Sequence, residues 1–144
     1  MSTGFLLDTN IPSELKKPLP NSSLLGWLAA QQIATFHLSV ISVGELRRGF
    51  SLLPTGKRRT QLEEWFERVI LPLFGDRILP VTHAIGDRWG VLGAERQRNG
   101  KPLHLADGLI AATALEHGLT LVTRNTRDFA GMGLTMLNPW EDQS

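Results

Sequence analysis

The stretch Phe5-Leu6-Leu7-Asp8-Thr9-Asn10 decides how the rest of the chain reads. Three apolar residues read as a short buried strand, and a carboxylate with two hydrogen-bonding side chains follows at once. The pattern returns near the other end, where Leu119-Thr120-Leu121-Val122 leads into Thr123-Arg124-Asn125 with Asp128 close behind. Between these two places short strand-like apolar runs alternate with longer helix-like ones, which implies βα units and a mainly parallel sheet. In such a sheet ligands bind just outside the carboxyl ends of the strands. Asp8 and residues 123–128 are therefore expected to share one rim.

Working outward, residues 4–8 read as the first strand and 10–17 as a short helix stopped by Pro18 and Pro20, with a second helix over 22–32. A second strand follows over 35–40. Helices over 42–53 and 61–74 are joined by the turn Pro54-Thr55-Gly56, and 78–81 reads as a third strand. Thr82 is the expected N-cap of a long helix ending near Asn99-Gly100. Gly118 is the expected close of a helix over 104–116. Strands over 119–123 and 134–137 complete the pattern, and the tail Asn138-Pro139-Trp140 is expected to lay Trp140 on the body. Trp27, Trp65 and Trp89 fall within helical patterns and read as core or subunit-contact residues. No repeat, low-complexity tract or linker interrupts the chain, so residues 1–144 are expected to form one domain.

Two further acids stand at element boundaries. Glu45 follows the apolar run 36–43, and Asp107 lies in the first turns of Leu105-Ala106-Asp107-Gly108-Leu109-Ile110-Ala111-Ala112-Thr113-Ala114-Leu115. That helix is apolar almost all round, which marks it as buried, and an ionised carboxylate does not tolerate such surroundings without a partner. Brought together, Asp8, Glu45, Asp107 and Asp128 would repel, by about 4 kcal/mol for two charges 4 Å apart at an effective dielectric near 20. A cluster of this kind either takes up protons or binds a cation. Carboxylate, carbonyl and water oxygens are the ligand set of Mg²⁺ and Mn²⁺. The chain has no Cys, and its four His residues show no metal-binding spacing, which argues against zinc. Thr9, Asn10, Thr123 and Asn125 add hydrogen-bonding groups where ligand-orienting or substrate contacts are needed.

Each acid also has a plain structural reading. Asp8 suits a turn before Pro12, and Asp128 suits the cap of a turn at Phe129. Ser42-Val43-Gly44-Glu45 matches a capping box in which Glu45 bonds back to the Ser42 amide. Asp107 would be favoured by the helix dipole, although that does not explain its apolar company. What favours the shared site is that all four readings would have to hold at once while the acids fall on a common rim.

The net charge is +1, with basic clusters at Arg47-Arg48, at Lys57-Arg58-Arg59 and around Arg96, Arg98 and Lys101. Most read as solvated helix faces. Arg47 and Arg48, next to Glu45, are the exceptions expected to meet a polyanionic substrate, and Arg47 is taken as a substrate contact. No apolar run approaches the length of a membrane span, and the start lacks the form of a signal peptide. The expected compartment is the cytoplasm.

The segments 6–10, 42–49, 106–114 and 121–129, with the closing Asn138-Pro139-Trp140, resemble the PIN-domain ribonucleases, and among them the VapC-like and FitB-like toxins of bacterial type II toxin–antitoxin modules. The resemblance covers essentially the whole chain and departs at no acidic position. It implies an α/β fold with a five-stranded, mainly parallel sheet flanked by helices on both faces. It further implies a Mg²⁺- or Mn²⁺-dependent endoribonuclease acting on tRNA or rRNA, with Asp8, Glu45, Asp107 and Asp128 as catalytic metal ligands. The implied partners are a second copy of the chain and a small DNA-binding antitoxin, through which alone operator DNA would be met.

A receiver domain would show adjacent acids near the first strand and a late lysine at a strand end, and neither is present. A phosphatase of the haloacid dehalogenase type would need Asp-x-Asp after strand one, where this chain has Asp8-Thr9-Asn10. The remaining alternative is a largely non-catalytic PIN protein that acts in regulation, within a DNA-binding complex with its antitoxin.

Overall fold

Five strands, all parallel, pair in the order β3-β2-β1-β4-β5. In the computed structural model, which describes residues 4–141, they are β1 (Phe5–Leu7), β2 (Phe36–Ser39), β3 (Ile78–Leu79), β4 (Thr120–Val122) and β5 (Met136–Leu137). The expected 1–144 domain thus runs past both ends of the described residues. From β1 the chain moves outward through β2 to β3, then crosses to the other side of β1 for β4 and β5. β1 and β4 are therefore neighbours whose connections leave in opposite directions, the switch point at which open α/β sheets form a crevice. Leu7 pairs with Val122, and the Asp8 amide donates to the Val122 carbonyl at 2.9 Å. Asp8 and Thr123 consequently leave the sheet side by side.

Successive strand residues point to opposite faces, and each face has its own core. Leu7 and Val122 pack with Trp27, Phe36, Leu46, Phe50 and Phe66. That face is covered by α1 (Asn10–Leu15), α2 (Ser22–Ala29), α3 (Val40–Ser51) and the helical stretch α4 (Lys57–Trp65) to α5 (Leu71–Phe74), which add Ile11, Leu24, Leu62 and Phe74 to the core. Leu6 and Leu121 face the other way, onto Ile85, Leu92, Ile110, Ala111 and Phe129, under α6 (His83–Arg98) and α7 (Leu105–His117). The first core is rich in aromatic rings, with Phe5 edge-on to Trp27 at 5.0 Å and Phe50 edge-on to Phe66 at 5.7 Å. The second is built on small residues, and a Cβ at Gly108 would lie 2.7 Å from the Trp89 ring. Trp27, Trp65 and Trp89 are packed as expected, and Trp140 lies against the first core.

Most expected elements are present with shorter strands. Thr82 caps α6, accepting from the Ile85 amide at 3.3 Å, and Gly118 ends α7 in the left-handed conformation at φ 64°. Two readings are corrected. The helix expected over 42–53 starts at Val40, capped by Ser39, whose hydroxyl accepts from the Ile41 amide at 3.0 Å. Ser42 is therefore inside the helix, and Glu45 is too far along to close a capping box with it. The helix expected over 61–74 begins at Lys57, since straight-chain Lys and Arg are good helix formers. It passes through a π turn at Phe66–Ile70 before Pro72. Proline lacks an N–H and crowds the carbonyl four residues back, which a wider turn relieves. No helix among the described residues is long and apolar enough to cross a membrane.

Candidate functional site

Asp8 is the anchor of the rim. Its side chain is buried, and its two oxygens are held separately: Oδ1 accepts from the Thr9 amide at 2.8 Å, and Oδ2 accepts from the Thr123 hydroxyl at 2.7 Å. The Thr123 oxygen in turn accepts from the Asn125 amide at 3.0 Å, which leaves its proton for Asp8. Asn10 adds a longer contact from Nδ2 to Asp8 Oδ2 at 3.4 Å. The strand ends thus fix one carboxylate in one orientation.

Glu45 reaches the same rim from α3. Its Oε1 lies 2.6 Å from the Thr9 hydroxyl, which also lies 2.8 Å from the hydroxyl of fully buried Ser42. Thr9 has a single proton and the ionised carboxylate can only accept, so Thr9 is committed to Glu45. Asp107 is half-buried in the first turn of α7. Asp128 is exposed on the 3₁₀ turn Thr126–Phe129 between β4 and β5.

The four acids share one electrostatic field. Burial pushes the Asp8 carboxyl above its ordinary value; the bonds from Thr123 and Thr9 oppose the rise, and repulsion from Asp107 and Glu45 adds to it. Asp107 is raised too, first by burial and then by Glu45, with His104 opposing and Asp128 adding. Among the described residues no Lys or Arg forms an ion pair with any of the four, since every salt bridge engages other acids. Asn10 Oδ1 is buried in the same place and accepts no hydrogen bond.

This donor set fits a hard divalent cation: the four acids, Thr9, Asn10 and Thr123 all carry side-chain oxygens, the four carboxylates make the charge negative, and one buried oxygen, Asn10 Oδ1, lacks a donor. Among the described residues no three His, Asp or Glu side chains converge tightly enough to form a closed metal-binding group. Mg²⁺ does not require one, because it is commonly held by one or two carboxylates while keeping several waters.

The sequence profile of the PIN domain matches residues 5–133. The chain belongs to the PIN-domain family. Within that family it is 43% identical over 136 residues to VapC ribonuclease Y4jK of Sinorhizobium fredii, covering 94% of this chain and 97% of the relative. It is 42% identical over 137 residues to toxin FitB of Neisseria gonorrhoeae, covering 95% and 99%. It is 29% identical over 136 residues to the tRNA(fMet)-specific endonuclease VapC of Shigella flexneri, covering 94% and 97%. The crystal structure of FitAcB from N. gonorrhoeae superposes with a TM-score of 0.90 at 41% identity, covering 95% of this chain and 99% of that one. A FitAB complex bound to a DNA fragment superposes with a TM-score of 0.91 at 38% identity, covering 97% and 98%. This PIN domain is thus of the VapC/FitB kind.

Of the residues singled out in the sequence, the PIN fold brings Asp8, Thr9, Asn10, Glu45 and Thr123 into direct contact, sets Asp107 in the field of Asp8 and Glu45, and sets Asp128 in the field of Asp107. Asn125 contributes its backbone amide to Thr123 while its side chain is exposed. Arg47 does not join them. Two residues past Glu45 is a turn of about 200° around a helix, and Arg47 points instead to Glu67 at 2.7 Å and Glu63 at 3.3 Å, over the Phe66 ring. Its ion pairs link α3 to α4 and to the π turn that follows it. Sequence reading missed the support that Ser42 gives Thr9, because Ser42 was taken as a cap. Placing the helix start at Ser39 puts Ser42 and Glu45 three apart, on one face.

Proposed function

We propose that this PIN domain is a divalent-metal-dependent endoribonuclease, the toxin of a VapBC-type toxin–antitoxin pair. The observation that carries the reading is the rim itself: two carboxyls with raised proton affinity, Asp8 and Asp107, beside Glu45 and Asp128, with no Lys or Arg among the described residues paired to any of them. Mg²⁺ or Mn²⁺ held there would activate water and neutralise charge on the phosphoryl oxygens. Asp8 and Asp107 are the proposed direct ligands. Asp8 suits that role because Thr9 and Thr123 fix both its oxygens before any ligand arrives. Glu45 and Asp128 are proposed either to complete a second cation site or to accept a proton from the attacking water. Asn10, with its unpaired carbonyl oxygen, and exposed Asn125 are placed to contact ligand waters or substrate.

Partners follow from the relatives. Structures similar to this chain are toxin–antitoxin complexes, some bound to DNA. We therefore assign this chain a small DNA-binding antitoxin, with operator DNA met only through it, and a homodimeric state. The groove between Ile11, Leu15, Leu28, Ile33, Leu73 and Phe74 gives a partner apolar surface to bury.

The test is cleavage of total cellular RNA by the purified protein with Mg²⁺, with Mn²⁺ and with EDTA, beside Asp8→Asn. Discrete products that need the metal and vanish in the mutant are expected. A folded, partner-free protein that cuts nothing under either metal would favour the regulatory, non-catalytic alternative.

A further inference from the structure

We propose that Arg96 is the positioning residue that holds Asp128 in the acidic rim, by clamping the backbone of its turn to α6. The inference rests on the reading that Asp128 belongs to the site. Asp128 is the least supported of the four acids. It is exposed, its amide donates to the Asn125 carbonyl at 3.0 Å, and its carboxylate forms no hydrogen bond among the described residues. The loop continues through Gly131 and Gly133 at φ 84° and 74°, conformations that glycine adopts readily and that add little stiffness. Asp128 also sits in the field of Asp107, so charge repulsion acts to move its turn outward.

Two forces act inward. Phe129 is buried in the second core, and the Arg96 guanidinium bridges two carbonyls of the loop, from Nη1 to Ala130 O at 2.8 Å and from Nη2 to Asp128 O at 3.2 Å. The rigid planar fork of Arg suits two acceptors at once, which a Lys ammonium reaches less well. Arg96 Nε is buried with no partner. An Arg that served only to solvate the helix would keep that nitrogen in water.

Where the bonds go matters as much as their presence. They are made to the carbonyls of Asp128 and Ala130, so the carboxylate is held near the rim without being neutralised by an ion pair. The anchoring helix is also the right one. α6 packs on α7, the carrier of Asp107, so closely that Gly108 has no room for a Cβ beside Trp89. Arg96 thereby ties the Asp128 turn to the layer that positions Asp107.

A four-protein cycle tests this: wild type, Arg96→Gln, Asp128→Asn and the double variant, each titrated calorimetrically with Mn²⁺ and assayed for kcat and KM on an RNA that the wild type cuts. Arg96→Gln is expected to weaken Mn²⁺ binding and lower kcat by about tenfold with KM changed less than about twofold. In the Asp128→Asn background the same change is expected to add nothing, and Arg96→Lys should recover part of the loss. Arg96→Gln with wild-type Mn²⁺ affinity and kcat would overturn the proposal, as would an equal loss in both backgrounds. If Arg96→Gln does not fold, Arg96→Lys carries the same comparison. An Asp128→Asn protein with wild-type Mn²⁺ binding and cleavage would instead overturn the placement of Asp128 in the site, and with it the proposal.

Discussion

Asp8 and Glu14 are both buried carboxylates, each at 6% exposure, and their proton affinities move in opposite directions. Glu14 is covered thinly, by Lys17 at 2.8 Å and by the start of α2, where its Oε2 accepts from the Asn21 amide at 2.9 Å. The Lys17 bond holds its carboxyl below the ordinary range. Asp8 lies deeper and accepts strong hydrogen bonds, yet pairs with no cation among the described residues, so burial pushes it up. The chain supplies a counter-charge where the acid ties helices together and withholds it where the acid faces the rim. A carboxylate kept buried, oriented and uncompensated is one whose partner comes from outside the chain.

The strongest way to break this contrast is to neutralise both acids in turn. Asp8→Asn should lower RNA cleavage by about 10²–10³-fold, of the order of losing one preorganised electrostatic contact, and leave circular dichroism unchanged. Glu14→Gln should leave cleavage at the wild-type rate. Equal losses from the two would mean that Asp8 acts through stability alone.

Asp107 differs from Asp8 in that packing rather than hydrogen bonds places it. Gly108→Ala drives a Cβ to 2.7 Å from the Trp89 ring, so denaturant unfolding should show a loss of about 1–3 kcal/mol from the displaced helix pair. Unchanged stability would mean that α6 and α7 separate easily and do not fix Asp107.

The two signs of shift give a smaller, pH-dependent pair of effects. Glu14 has a lowered folded pKa, so its contribution is present above the unfolded value and is lost as pH falls through the folded one. Thermal melts of Glu14→Gln should lie below wild type at pH 7 and converge with it in acid. Asp107 has a raised folded pKa, so protonation stabilises the fold below the unfolded value of about 3.8 and that stability is lost as pH rises through the folded one. In EDTA, Asp107→Asn should therefore melt slightly above wild type at pH 7, with the gain fading toward pH 4. A gain that persists at low pH would point to a packing effect.

The same contrast separates what the chain reveals in one dimension from what it hides. Asp8 and Thr123 were legible because strand ends are marked by apolar runs, and a parallel sheet puts those ends on one rim. Asp107 stood out because a carboxylate in a helix of alanines keeps apolar company that the helix dipole does not explain, and the fold sets it in the field of Asp8 and Glu45. Gly118 and Thr82 were readable from local chemistry alone. Glu45 was half-read: two serines three apart, Ser39 and Ser42, both suit an N-cap, and only the buried contact with Thr9 selects between them. The ion pairs of Arg47 were not legible because Glu63 and Glu67 lie beyond α3, and charge spacing along the chain does not show which cations find acids across the fold. Arg96 was passed over because its acceptors are backbone carbonyls of a distant turn, which no residue type marks along the chain. Nothing local distinguishes it from Arg98, which is about 200° further around the helix.

If the uncompensated carboxylates of the rim wait for a divalent cation, that cation must stabilise the folded protein through them. The measurement is the Tm of wild type and of Asp8→Asn across a Mn²⁺ titration at constant ionic strength. The expected result is a wild-type Tm that climbs with Mn²⁺ and a mutant Tm that stays flat. A wild-type Tm indifferent to Mn²⁺, or an equal rise in both proteins, would contradict it.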